Sequence, residues 1–233
     1  MADSLISVVL PVRNQADHVR GIVEQYLGAM ERIPRPFELI LVINASRDRS
    51  QQVCERLARE HPSIITIVTE RSGWGMAVRM GLRQARGDLL CYTNAARTAP
   101  GDLVLSLLYA VAFPDVVVKA NRKIRSGWGR RLGSLLYNLE CRALFDLPNW
   151  DVNGTPKVFP RRFKQLMALT RDDDLIDLEF TAVCRRENYP MVEVPIFSSR
   201  RHGGKSTTTY MSALKMYWGA YQLRQSQAEQ PVK

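Results

Sequence analysis

The residues with chemical reach gather in short segments between apolar runs. Gly73 and Gly75 stand at the mouth of a helical stretch, where missing side chains let a ligand come close to backbone N–H groups. Such a mouth favours phosphate, although an ordinary glycine turn has the same spelling. Basic residues concentrate in Arg122–Arg131 and Arg200–Lys205, both interspersed with glycine. The permanently charged fork of arginine suits phosphate; the alternative is a solvated basic face. Asp151 and the run from Asp172, Asp173 and Asp174 to Asp177 and Glu179 offer carboxylates that can serve as a base toward a hydroxyl acceptor. For Asp172 and Asp173 the plainer reading is a solvated loop before a helix, and Asp48 reads equally well as a helix cap.

These segments sit in a chain of 233 residues, 45% hydrophobic, with a net charge of +10. That is enough chain and enough apolar surface for one large domain and excludes a disordered class. The charge calls for an anionic partner. No basic stripe is interleaved with aromatics, so nucleic acid is not expected and discrete phosphate groups are. No apolar run is long enough to span a bilayer. Leu5–Leu10 reads as a strand rather than the core of a signal peptide. The four cysteines lack metal-ligand spacing and read as reduced core residues, which points to the cytoplasm.

The elements that must position the reactive segments follow from periodicity. Ile6–Leu10, Phe37–Ile43, Ile64–Val68, Leu89–Tyr92 and Val116–Val118 read as buried strands. Between them run helices: one after Asn14–Asp17 with Val19, Ile22, Val23, Tyr26 and Leu27 on one face, one after Ser46–Ser50, one over Met76–Ala85, and one after Pro100. The alternation predicts a mostly parallel, Rossmann-like α/β sheet covered on both faces, with ligands at the carboxyl ends of the strands. A last stretch, Tyr210–Leu223, carries Met211, Leu214, Met216, Tyr217, Trp218 and Tyr221. It reads either as an interfacial helix on a membrane or as a core or homodimer contact.

Taken in order, the loops after these strands resemble family-2 glycosyltransferases of the GT-A fold, in particular the polyprenyl-phosphate (dolichol-phosphate) hexose synthases. The resemblance is carried by Val9–Gln15 (V-x-P-x-x-N-E), Leu41–Asp48 (V-V-D-D/N-G-S-x-D) and Gly73–Asp88 (G-x-G-x-A…G…A-x-G-D). It continues in Asp151–Gly154 (D-x-x-G), Glu193-Val194-Pro195 (E-V-P) and Arg201–Ser206 (R-x-x-G-x-S). It spans Val8 to Ser206 and implies a GT-A domain over 1–206, followed by a C-terminal helix and tail over 207–233. It further implies transfer of a sugar from a nucleotide-sugar to a polyprenyl-phosphate or other lipid or glycan acceptor. Donor-binding positions carried over are Pro11, Val12, Arg13, Gln15, Asn44, Ser46, Gly73, Gly75, Thr93, Asn94 and Ala95. Arg201 and Lys205 fall in the loop that closes over the diphosphate, with Gly203-Gly204 as a hinge. Arg122, Arg131 and Ser134 fall in the segment that holds the acceptor phosphate, and Asp151 and Glu179 in the acidic, catalytic positions.

The sequence departs from the pattern where it is most diagnostic. Thr93-Asn94-Ala95 replaces the Asp-x-Asp whose carboxylates hold a divalent metal, Ile43 replaces an acidic residue, and Gln15 replaces Glu. Threonine and alanine cannot stand in for two carboxylates on a hard cation, so Mg²⁺ or Mn²⁺ is not expected at the usual motif. Arg97, two residues beyond Ala95, is the candidate to take over the metal's charge toward the leaving group. The alternative is a catalytically degenerate nucleotide-binding or scaffold protein on the same fold. If active, the chain is expected in the cytoplasm and peripherally on the membrane's cytoplasmic face.

Overall fold

The computed structural model describes residues 4–123, 128–197 and 210–228. Arg201 and Lys205 therefore lie outside the described residues. Strands Ile6–Val12 (β1), Phe37–Asn44 (β2), Ile64–Thr69 (β3) and Leu89–Tyr92 (β4) alternate with helices Val19–Met30 (α1), Ser50–Glu60 (α2) and Trp74–Gln84 (α3). Pro100–Ala112 (α4), with proline in the first turn where its missing N–H costs nothing, leads to Val117–Arg122 (β5). Trp128–Phe145 (α5), Lys157–Pro160 (β6), Ile176–Arg186 (α6), Met191–Ile196 (β7) and Tyr210–Ala228 (α7) follow.

The described strands form one sheet in the order β3-β2-β1-β4-β6-β5-β7. Neighbours are parallel except around β6, which runs antiparallel to both β4 and β5. The sheet is thus mostly parallel, as the alternation of elements predicts. Strand order reverses between β1 and β4, so a crevice opens where their carboxyl ends part. Val8, Leu10, Leu39 and Leu41 point toward α1, α2 and α4, while Val9, Ile40 and Val42 point toward α3 and α6. Both faces are covered, and the central strands accordingly read as unbroken apolar runs. A third cluster joins α5, α6 and α7 through Tyr137, Cys141, Leu175, Leu178, Ala220 and Leu223.

The sequence reading ends the fifth strand at Val118, whereas β5 continues to Arg122. The continuation is polar because its neighbours are. Lys119 lies in register with Lys157 on one side and Glu193 on the other, and Lys157 lies in register with Tyr92. A row Tyr92–Lys157–Lys119–Glu193 therefore crosses four adjacent strands. Both lysines are fully buried. Lys119 donates to Glu193 Oε1 at 2.7 Å and to the Asp151 carbonyl at 2.9 Å. Lys157 pairs with Asp177 of α6, whose carboxylate also accepts from Tyr92 Oη at 2.9 Å and from Trp74 Nε1 at 3.2 Å. Burial pushes the Lys157 pKa down to about 8 against the pull of Asp177.

Removing one partner of a buried pair strands the other charge. Lys157→Met should lower unfolding free energy by about 3–5 kcal/mol in a urea melt. Lys157→Met combined with Asp177→Asn, which keeps an acceptor for Tyr92 and Trp74, should recover most of that loss. Equal losses in the single and double variants would show that the pair is not what holds α6 to the sheet.

Candidate donor and acceptor crevice

At the crevice, the loops after β1 and β2 are fastened to each other. Asn14 N–H donates to Ser46 Oγ at 3.1 Å, Gln15 N–H to Ser50 Oγ at 2.8 Å, and Ala16 N–H to Asp48 Oδ2 at 2.9 Å. Arg47 N–H returns a bond to Asn14 Oδ1 at 2.8 Å. Asn14 and Ala45 adopt left-handed backbone to make these turns. Asp48 also accepts from the Ser50 N–H and hydroxyl, so it is both a helix-start partner and a loop clasp. Pro11, Val12, Gln15 and Asn44 are buried, Ser46 is half-buried and Arg13 is exposed.

The turn after β4 closes on itself. Asn94 Oδ1 accepts the Ala96 N–H at 3.0 Å, and the Asn94 carbonyl accepts from both Arg97 and Thr98 N–H at 2.9 Å. Thr93 and Thr98 share a hydroxyl bond of 2.7 Å, and Tyr26 Oη donates to the Thr98 carbonyl at 2.8 Å. Thr93 is 0% and Ala95 1% exposed, the latter within the apolar cluster of Leu103 and Leu107. Arg97 is half-buried on this turn.

Gly73 and Gly75 lie against the chain's own backbone. A Cβ on Gly73 would stand 2.4 Å from the Asp172 carbonyl oxygen, and one on Gly75 2.4 Å from that of Arg171. The Asp172 carbonyl also takes the Met76 N–H at 3.0 Å. The start of α3 is thus covered by the chain's own 171–173 loop, and the glycines admit that loop rather than a phosphate. Ser72, Gly73 and Thr170–Asp173 line an open cavity of about 450 Å³.

Glu179 explains why the loop stays there. Its carboxylate accepts from the Thr170 N–H and hydroxyl and from the Arg171 N–H at 2.7–3.0 Å. Glu179 is buried, and these bonds let its carboxylate position the loop. Asp172 and Asp173 are likewise engaged, with Arg71 and Arg79 and with Arg171 respectively.

Asp151 anchors Arg122. Its carboxylate, 3% exposed, accepts from Arg122 N–H at 2.9 Å, Nε at 2.8 Å and Nη2 at 2.7 Å. Burial opposes the charge on Arg122, yet the Asp151 carboxylate and its hydrogen bonds leave the Arg122 pKa raised. Gly154 is required because the loop passes so close to β5 that a Cβ would lie 1.9 Å from the Ala120 carbonyl oxygen.

The acceptor candidates converge on the same loop. Val152 N–H donates to Asn138 Oδ1 at 2.8 Å, and Asn138 Nδ2 donates to the Ser134 carbonyl at 2.7 Å. Arg122 and Ser134 are thereby joined through Asp151-Val152 and Asn138. Arg131 is exposed on α5, three residues before Ser134 and hence on an adjoining position. Sequence reasoning missed Asn138, Lys119 and Lys157. The signal was the period-2 alternation Val117, Lys119, Asn121, which a charged residue in a buried strand disguises.

The comparisons with known proteins agree with this geometry. The family model for glycosyl transferase family 2 matches residues 7–187. The chain belongs to that family. The undecaprenyl-phosphate 4-deoxy-4-formamido-L-arabinose transferase of Pectobacterium atrosepticum is 33% identical to this family-2 chain over 219 residues, covering 91% of it and 65% of the relative. Its counterpart in Pseudomonas paraeruginosa is 28% identical over 172 residues, covering 72% of the chain and 50% of the relative. The chain thus spans half to two thirds of these relatives' lengths. Glucosyl-3-phosphoglycerate synthase from Mycobacterium tuberculosis, solved with Mn²⁺, UDP and phosphoglyceric acid, superposes with a TM-score of 0.73 at 16% identity. That superposition covers 95% of this chain and 78% of the synthase and establishes the shared GT-A fold.

The glycine assignment is testable by stability. Gly75→Ala should cost about 1–3 kcal/mol, since backbone must shift to admit the methyl group. Gly21→Ala, with nothing within 4 Å inside α1, should instead stabilise by roughly 0.5–1 kcal/mol through helix propensity. Thermal melts that rank the two variants the other way would return Gly75 to a ligand-facing role.

Proposed function

We propose that this family-2 chain transfers a sugar from a nucleotide-sugar to a polyprenyl phosphate at a membrane surface. The observation that carries this reading is the network Arg122–Asp151–Val152–Asn138–Ser134, which joins the basic end of β5 to α5. Beside it lies an apolar surface. On α5, Leu132, Leu135, Leu136 and Leu139 are 44–50% exposed, and on the adjoining α7 Trp218 and Tyr221 are exposed. Tyr137 and Tyr217 pack edge to face between the two helices, and Tyr217 Oη donates to the Gly133 carbonyl at 2.7 Å. Arg131, Lys215 and Arg224 are exposed on the same two helices.

Leucines with an interfacial tryptophan and flanking cations suit a helix pair resting in an anionic bilayer. An acceptor whose tail lies in that bilayer would present its phosphate at the level of Arg131 and Ser134. The curated relatives are named for undecaprenyl phosphate, an acceptor of this class. The acceptor's phosphate oxygen is already anionic, so it attacks the sugar's anomeric carbon without a strong base. The bond from that carbon to the donor's diphosphate breaks, and its electron pair leaves with the nucleoside diphosphate. The chain's own contribution is to align the two groups and stabilise the leaving charge. This chemistry accords with a crevice whose Asp151 and Glu179 are both occupied.

Incubation with radiolabelled nucleotide-sugars and a short-chain polyprenyl phosphate tests the activity. Label should pass to the organic phase. Arg131→Ala should raise the acceptor KM roughly tenfold with donor affinity unchanged. No transfer from any donor would favour the degenerate, nucleotide-binding reading. A separate flotation assay with anionic liposomes should carry the protein upward at low salt and release it at high salt. Leu135→Ser with Leu136→Ser should abolish flotation without lowering the melting temperature; unchanged flotation would remove α5 from the membrane contact.

A further inference from the structure

Resting on the donor reading above, we infer that the sugar-nucleotide's diphosphate is held without a divalent metal, with Arg97 meeting its charge. The family's metal requires carboxylates after β4, and the residues here do not fit one. The two positions that would carry them, Thr93 and Ala95, are buried in the protein. One is bonded to Thr98 and the other packs among core residues. The remaining side chain, Asn94, is turned onto the Ala96 N–H.

Three carboxylates near this edge are already paired with cations. Asp151 is engaged by Arg122, Asp177 by Lys157 and Glu193 by Lys119. Among the described residues no group of three or more His, Cys, Asp or Glu is placed to hold a metal ion. The sequence of 124–127 and 198–209 contains no Asp or Glu at all, and the latter contains Arg200, Arg201, His202 and Lys205. A hard cation at the turn after β4 therefore lacks the paired carboxylates that would hold it.

The same loop supplies a cation of its own. Arg97 stands on a turn fixed by two bonds to the Asn94 carbonyl and by the Tyr26 and Thr93 contacts to Thr98. That turn follows β4, at the point where strand order reverses and the crevice opens. A guanidinium on so rigid a backbone can hold two diphosphate oxygens at once and stabilise the charge that develops when the sugar departs.

Calorimetric titration with UDP, GDP, ADP and CDP, first in excess EDTA and then in excess Mg²⁺ or Mn²⁺, tests the inference. At least one nucleotide should bind with the same affinity in both. Arg97→Ala should weaken it roughly tenfold or more, and Arg97→Lys should retain much of it. Binding seen only with metal would overturn the metal-free inference and leave the donor reading intact. An unaffected Arg97→Ala would overturn the assignment to Arg97. Failure of every nucleotide under both conditions would overturn the donor reading and this inference with it.

Discussion

Two ammonium groups buried inside a β-sheet set the terms for the rest of this molecule. Lys119 and Lys157 face each other in register on neighbouring strands, fully enclosed. Two like charges in a poorly polarisable interior repel and are costly to desolvate. Each must therefore find an acid, and they find it in opposite directions: Lys157 in Asp177 of α6, Lys119 in Glu193 of β7. Lys157 also lies 5.5 Å from the Tyr92 ring and 5.6 Å from that of Phe180, whose faces help to accommodate the charge. The antiparallel β6 is what brings the two lysines opposite each other.

Placement of the site follows from these pairs. Asp177 is in the first turn of α6, so its bond to Lys157 brings that helix start to the sheet. Glu179, one step further along the same turn, holds the 170–171 backbone, and the next residues lie over Gly73 and Gly75. On the other side, Lys119 takes the Asp151 carbonyl and so fixes the loop whose carboxylate aligns Arg122. Asp151 and Asp177 thus pair with cations of the sheet, and Glu179 with loop backbone. Arg122 is held at the edge of this arrangement.

The basic end of β5 is linked to an apolar surface. The crevice opens at the carboxyl ends of β1 and β4, and β5 leads from the same edge toward α5 with its outward leucines. No described helix is long and apolar enough to cross a membrane. An arrangement of cations beside a half-exposed apolar helix pair suits a substrate that is itself divided, anionic at the head and hydrocarbon in the tail.

The sequence by itself determined the alternation of strands and helices through Val118, because a strand buried on both faces must be apolar along its length. The order of its motifs also identified the family. The fate of individual polar residues was decided only by tertiary structure. Lys119 and Lys157 look like surface residues in a string of letters, and only their register with Glu193 and the approach of Asp177 make them interior ones. Gly73 and Gly75 announce a close approach of backbone, but whether the visitor is a phosphate or the chain's own 171–173 loop depends on residues about a hundred positions away. Asp151 is legible as an acid with a role, yet its partner, Arg122, comes from β5, 29 positions earlier in the chain. Local patterns record what a backbone can do; long-range pairing of charges determines which partner each side chain meets.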